Sequence, residues 1–454
     1  MNSNVTKEYQ QAFDAGKSYF STCEQIVCED VLAIYTAAES ARGARYFWRN
    51  PDQTMTIAAF HWLVDYQKPM LATFDGMQKD LRDSHYQSQM DACQALLLGG
   101  FAFDETRAPQ DEWAQLGNGL FVLPEIMIKQ EGTQTWAVYT VKATNEEQRA
   151  AKVAALQEQV MQWIDSSRFG EAAAPYAVTG QVEVAVPEWL QAVEESVQAI
   201  KDPTIDLTKV VLARQMRLTT TETIRSEAVL AHLSQQQPNT YVFALEQGDT
   251  FFIGATPERL LKATVDHFET VSIAGSAPRG QTKAEDQVLA EALLQDPKNT
   301  HEHQVVVDRL EHALATLIDG GFHSEERAVI KNRDIQHLFL PLKGKRQAAV
   351  SFLTAVQKLH PTPALGGEPK TAAVQWIKDH EPSSRGMYGG PFGWLGIQED
   401  IGEFAVAIRS GVVTQNRATL YAGCGIVADS QAFAEQQETR LKFQPMRRGI
   451  IGDV

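Results

Sequence analysis

The stretch FFIGATPERLLKATVDHFETVSIAGSAPRG, residues 251–280, divides into an apolar strand, a Gly-Ala-Thr-Pro-Glu corner, a second strand and a small-residue loop, Ala274-Gly275-Ser276. Glu258 follows Pro257 where the first strand ends, and strand ends are where a rigid scaffold presents side chains to a cleft. A glutamate after proline is, in isolation, more often a solvated turn residue. Its reading therefore depends on whether other segments supply chemical partners.

Working outward, Tyr241 to Leu245 and Thr250 to Gly254 read as a hairpin across Gln247-Gly248-Asp249. Upstream, LTKVVLARQMRL, residues 207–218, has strand character and puts Lys209 on the face of Val211 and Ala213. A lysine entering a strand that is apolar on both faces is either a snorkelling edge residue or a partly buried amine. Downstream, Asn299 opens a helix to about Ile318 with an apolar stripe of Val306, Leu310, Ala313 and Leu317. Glu302 extends that stripe by one turn, either as a first-turn acid favoured by the helix dipole or as part of a site. His301 and His303 beside it lack zinc-ligand spacing. In a short helix from Ser430 to Phe443, Glu435, Glu438 and Lys442 share one face. Glu438 and Lys442 can be an exposed ion pair, yet Glu438 also falls between Ala434 and Leu441 on the stripe expected to point inward. Two helix-borne acids of this kind suit a hard, oxygen-seeking cation such as Mg2+. Arg409, Lys442, Gly423 and Gly425 suit carboxylate binding by charged donors and backbone N–H groups.

The whole chain bounds these readings. Its 454 residues, 44% of them hydrophobic, suffice for a large core, and a formal net charge of −16 disfavours nucleic acid or an anionic membrane as partner. An anionic ligand must therefore meet local cations or a metal. Cys23, Cys28, Cys93 and Cys424 have neither metal-ligand spacing nor disulfide density, which points to a reducing cytoplasm. The N-terminus has no basic region leading into an apolar core, and no apolar run reaches membrane-spanning length.

Elsewhere the pattern alternates hairpins and helices. Arg45 to Trp48, Met55 to Leu63, Leu120 to Lys129 and Thr135 to Val141 read as strands, and Asn145 to Ser167 as a helix. Gly170 to Pro187 reads as a linker or a loop within one globule, and Pro187 opens a further helix. The C-terminal meander runs through Gly390 to Ile397, Gly402 to Val412 and Ala418 to Val427.

Nine motifs in unbroken order, KVVLAR at 209–214, GATPERLL at 254–261, SIAGS at 272–276, HEH at 301–303, LHPTPALGG at 359–367, MYGGPFGW at 387–394, AIRSG at 407–411, YAGCGIV at 421–427 and EQQETRLKF at 435–443, resemble the chorismate-utilising enzymes. RYFWRNPDQTMTI, residues 45–57, resembles the menaquinone-type isochorismate synthases among them. The resemblance implies an α+β layered sandwich with large antiparallel sheets and helices outside. Residues 1–190 would be its divergent N-terminal part and 191–454 the chorismate-binding catalytic region of one continuous globule. It implies Lys209 as general base on water and Glu258 as general acid toward the departing 4-hydroxyl of chorismate. Glu302 and Glu438, with Glu435 in support, match Mg2+ ligands. Gly275, Ser276, Tyr388, Arg409, Gly423 and Lys442 match positions that hold the substrate's carboxylates, with Gly425 beside them, and His360 matches a histidine close to the ring.

The same resemblance discriminates between reactions. Ammonia-using relatives typically lack the lysine matched by Lys209, and the aminodeoxychorismate type carries a nucleophilic lysine where this chain has Ala274. Water is therefore the implied nucleophile, with no glutaminase subunit. Salicylate synthases commonly show Gly-Thr-Arg where this chain has Gly275-Ser276-Ala277, which favours stopping at isochorismate. The alternatives are a salicylate synthase and, more remotely, a non-catalytic chorismate-binding subunit. A cytoplasmic monomer or weak homodimer is expected, with the long N-terminal third leaning toward menaquinone over siderophore synthesis.

Overall fold

The computed structural model describes residues 3–88, 93–167, 174–333 and 335–452. Its strands form two antiparallel arrays joined through the long paired strands Met55–Gln67 and Gly119–Glu131. One array runs from Tyr19–Ile26 through Gln134–Lys142, Gly119–Glu131, Met55–Gln67, Arg45–Arg49, Tyr241–Gln247, Thr250–Thr256, Ser410–Thr414 and Arg417–Ile426 to Lys209–Thr220. The other leaves Gly119–Glu131 through Leu96–Phe101, Pro391–Gly396, Gly402–Val406, Arg259–Ala263 and His267–Pro278 to Ile335–Arg346.

Aromatic side chains fill the space between the arrays. Phe392 lies 4.4 Å from Phe243 and 5.6 Å from Tyr46, ring centre to ring centre, and each is fully buried. A second core covers the outer face of the first array. There Val229, Leu230 and Leu233 of the helix Ser226–Gln236 share a buried cluster with Phe443, Met446 and Ile450 of the helix Ala432–Ile451. On the other array the helices Pro297–Leu314 and Phe352–Leu359 lie outside. This is the α+β layered sandwich that the sequence implies, with both parts of the chain contributing strands to each array.

The corner at Pro257-Glu258 has a specific architectural role. Thr250–Thr256 pairs within the first array and Arg259–Ala263 within the second, so the chain changes sheets there. Proline has no N–H to give a ladder, which suits such a break. The neighbouring chain changes sheets in the opposite sense between Gly402–Val406 and Ser410–Thr414. The two crossings are clamped together by Val406 N–H donating to the Glu258 carbonyl at 2.9 Å and Ala255 N–H donating to the Arg409 carbonyl at 3.0 Å.

Three expectations are corrected. Gly402 to Val412 is not one strand: it breaks at Arg409, which adopts φ +50°. The expected linker from Gly170 to Pro187 contains the strand Val178–Glu183, paired with Lys209–Thr220, and its residues 170–173 lie outside the described set. The C-terminal helix is longer, Ala432–Ile451, and its buried stripe is Gln436, Thr439, Phe443 and Met446. Ala434, Glu438 and Leu441 face outward, Leu441 being 66% exposed, because the apolar contacts that fix the helix's rotation come from its second half.

Candidate active site

Two cavities flank the sheet-switching corner. One, of about 420 Å³, is lined by Lys209, Glu258, Ile273, Val306, Ala313 and Gly367 among others. The other, of about 440 Å³, is lined by Pro257, Ser276, His337, Arg409 and Lys442, with Arg333 at its edge. The expected base and acid thus share one chamber, and three of the expected carboxylate-holding residues share the next.

Lys209 is the first residue of Lys209–Thr220, half-buried, with its backbone opposite Glu368. Its side chain runs beside Gly425: a Cβ added there would stand 2.9 Å from the Lys209 Cε. Gly425→Ala should therefore push the amine aside. A displacement of that order is expected to lower kcat roughly 10- to 100-fold with an unchanged circular dichroism spectrum. Wild-type kcat in that variant would show that the amine's position does not matter.

Glu258 is part-buried at the corner. Desolvation pushes its carboxyl up from 4.5 to about 7, against the opposing pull of the Arg409 and Lys209 charges. The Arg409 guanidinium has no hydrogen bond or ion pair with a described residue; Glu258 and Glu438 act on it at longer range. A cation held this way is suited to a carboxylate ligand. Tyr388 stacks on Tyr421 with ring centres 5.2 Å apart, and its hydroxyl stands 3.4 Å from where a Gly423 Cβ would be. The Gly423 carbonyl accepts from Lys442 Nζ at 3.0 Å, so Tyr388, Gly423 and Lys442 are contiguous, and of the three Lys442 lines a cavity while Tyr388 and Gly423 lie behind it. Gly275 adopts φ +71° at a bulge and leads into Ser276.

Of the expected metal ligands, Glu435 and Glu438 lie one turn apart on Ala432–Ile451. Glu438 is half exposed and pairs with Lys442 at 2.6 Å, and the Glu435 charge adds to burial in pushing the Cys424 thiol up. Glu302 belongs to Pro297–Leu314, one turn before the cavity-lining Val306, but its side chain lies outside the described residues. Among the described residues no three His, Cys, Asp or Glu side chains converge as a metal cluster. The donor chemistry, carboxylate oxygens on elements that border the cavities, fits Mg2+.

His360 is not brought into either chamber. It is buried against Phe103, its Nε2 3.1 Å from the Phe103 carbonyl, and burial pulls its pKa down to about 4, so the ring is neutral and donates to that carbonyl. Sequence reasoning missed His337 and Asn299, which hold Ser276. The buried pair Arg385 and Glu381 was also missed; Glu381 accepts the Ala213 N–H at 2.6 Å and Arg385 donates to the Val211 carbonyl at 2.6 Å, bracing the strand that carries Lys209.

A family model described as "Chorismate binding enzyme" matches residues 6–451. The isochorismate synthase MenF of Bacillus subtilis is 33% identical across 95% of this chain and 93% of its own length. The salicylate biosynthesis isochorismate synthase of Pseudomonas aeruginosa is 32% identical across 78% of this chain and 74% of that protein. A solved structure of MenF, the menaquinone-specific isochorismate synthase from Escherichia coli, is similar with a TM-score of 0.81 over 98% of this chain and 99% of that one. Its identity of 22% makes this a statement about fold alone.

Proposed function

This chain belongs to the chorismate-binding enzyme family, and from that premise we propose that it converts chorismate to isochorismate with Mg2+, for menaquinone biosynthesis. It is an isomerase: water adds at C2 while the hydroxyl leaves C4 as water, so composition is unchanged. The observation that carries the reading is the chamber shared by Lys209 and Glu258, with the Glu258 carboxyl raised to about 7. Lys209, when neutral, takes a proton from the attacking water, and Glu258, when protonated, gives one to the departing oxygen. Arg409, Tyr388, Lys442 and the Gly275-Ser276 loop hold the substrate's carboxylates. Glu302, Glu435 and Glu438 would hold Mg2+, which when bound stabilises charge at the ring carboxylate.

Water as nucleophile calls for no glutaminase subunit. Among the described residues no helix is long and apolar enough to cross a membrane. The menaquinone assignment is supported by the match to a MenF protein through the N-terminal third as well as the catalytic region. Incubating the purified protein with chorismate and Mg2+ and separating the products should give isochorismate without salicylate, and chelation by EDTA should stop turnover until Mg2+ is restored. Stoichiometric pyruvate would move the chain to the salicylate synthases, and binding without turnover would make it a chorismate-binding subunit.

A further inference from the structure

The wall of the chamber shared by Lys209 and Glu258 includes Thr362, whose Oγ1 is buried and has no hydrogen-bond partner. Its polar neighbours in that wall are committed elsewhere. Arg259 donates to the Tyr241 hydroxyl and to Glu403, Thr270 to the Leu260 carbonyl and Lys370 to the His360 carbonyl, while Arg309 pairs with Glu368. Asp308, His312 and Lys358 are exposed. A buried hydroxyl left unpaired is a cost to the fold, and each such group calls for an explanation.

The turn that carries Thr362 is fastened to the strand that carries Lys209. The Thr362 carbonyl accepts the Leu365 and Gly366 N–H groups at 2.9 and 2.8 Å, and the Gly366 carbonyl accepts the Val211 N–H at 2.9 Å. Gly367 and Glu368 then pair with Val210 and Lys209. The threonine thus stands on backbone that is fixed relative to the base. Its Oγ1 and Cγ2 exchange places by rotation about one bond between staggered wells, so the hydroxyl turns into the chamber once a partner is present there.

Attack at C2 uses one lone pair of the water, whose two hydrogens both need acceptors. Lys209, when neutral, takes one, and Glu258 is engaged as the protonated donor to the departing oxygen. We propose that Thr362 is a catalytic residue whose hydroxyl oxygen accepts the second hydrogen of the attacking water and fixes that water's orientation between Lys209 and C2. Thr362 transfers no proton: the C2–O bond forms and the C4–O bond breaks, one proton passes to Lys209 and one leaves Glu258. The inference rests on the function proposed above, which supplies the water.

Thr362→Val keeps the shape of the side chain and removes the hydroxyl. It should lower kcat roughly 10- to 100-fold with the calorimetric Kd for chorismate within about threefold, and Thr362→Ser should restore kcat to within about threefold of wild type. On a Lys209→Ala background, Thr362→Val should cause no further loss, because the two groups act on the same water. The Tm of ligand-free Thr362→Val should equal or exceed that of wild type, because the hydroxyl it removes has no partner in the fold. A lower Tm would mean that the hydroxyl is spent in the structure, and wild-type kcat in Thr362→Val would mean that the water is held without it. Either result overturns the inference and leaves the proposed reaction standing, as does a Thr362→Ser variant as slow as Thr362→Val. Binding of chorismate by the wild type without isochorismate formation would overturn both.

Discussion

Lys209→Ala is expected to lower kcat by roughly 10²- to 10⁴-fold, the usual contribution of a positioned general base, while leaving the Kd for chorismate within about threefold. The two halves of that expectation rest on different parts of the structure. Lys209 opens a strand whose backbone is paired with Gly367–Glu368 and Arg417–Ile426 irrespective of its side chain, so truncation leaves the scaffold in place. The groups proposed to hold the carboxylates, Arg409, Ser276 and Lys442, line the adjoining chamber and keep their positions. What the variant loses is the amine beside Gly425 in the chamber shared with Glu258. Lys209→Arg should fail to restore turnover although it keeps the charge, because a guanidinium does not give up its proton in a protein and cannot act as base. Near-wild-type turnover in either variant would remove Lys209 from the proposed role. A subsidiary result follows for the acid: the Lys209 charge lowers the Glu258 pKa, so its removal should move the Glu258 titration to higher pH.

Particular residues show how much of this was legible in the sequence. The strands around the corner could be read because apolar alternation is strong and Pro257 marks the break, and the order of the motifs carried the family and the fold. Nothing local says that residues before and after Pro257-Glu258 belong to different sheets, since pairing partners are set by segments far away in the chain. The opposite crossing at Arg409 was invisible for a related reason. Its positive φ is carried by an arginine where glycine or asparagine would have been the signal, and the apolar run Ala405 to Ile408 continues the strand pattern up to it. Glu438 was placed on an inward face because Ala434 and Leu441 happen to flank it at helical spacing. The rotation of that helix is set by Phe443, the last residue of the segment that the pattern delimited, and by Met446 and Ile450 beyond it. His337 gave no sign in the sequence: a lone histidine in an alternating strand acquires meaning only when Ser276 is found opposite it.

Glu258→Gln should abolish the proton donor and, in the same protein, raise thermal stability increasingly as pH rises. Desolvation lifts the folded-state pKa of Glu258 from 4.5 to about 7. For a carboxyl raised in this way, the protonated form is the one the fold favours. The stability it contributes is fully present below about 4.5 and is lost as pH climbs through about 7, because the unfolded chain can ionise freely while the folded chain resists it. Glutamine is neutral throughout and escapes that loss, so the Tm difference between Glu258→Gln and wild type should grow from pH 5 to pH 8. Catalysis carries the same titration with the opposite use. Wild-type kcat/KM reports the free enzyme, so it should fall about tenfold per pH unit once Glu258 is ionised and Lys209 has lost its proton. At pH 6 the variant should retain chorismate binding with kcat reduced by roughly 10²-fold or more. A Tm difference that stays constant across this range would mean that the carboxyl at the sheet-switching corner is an ordinary solvated acid, and with it the assignment of the proton donor would fall.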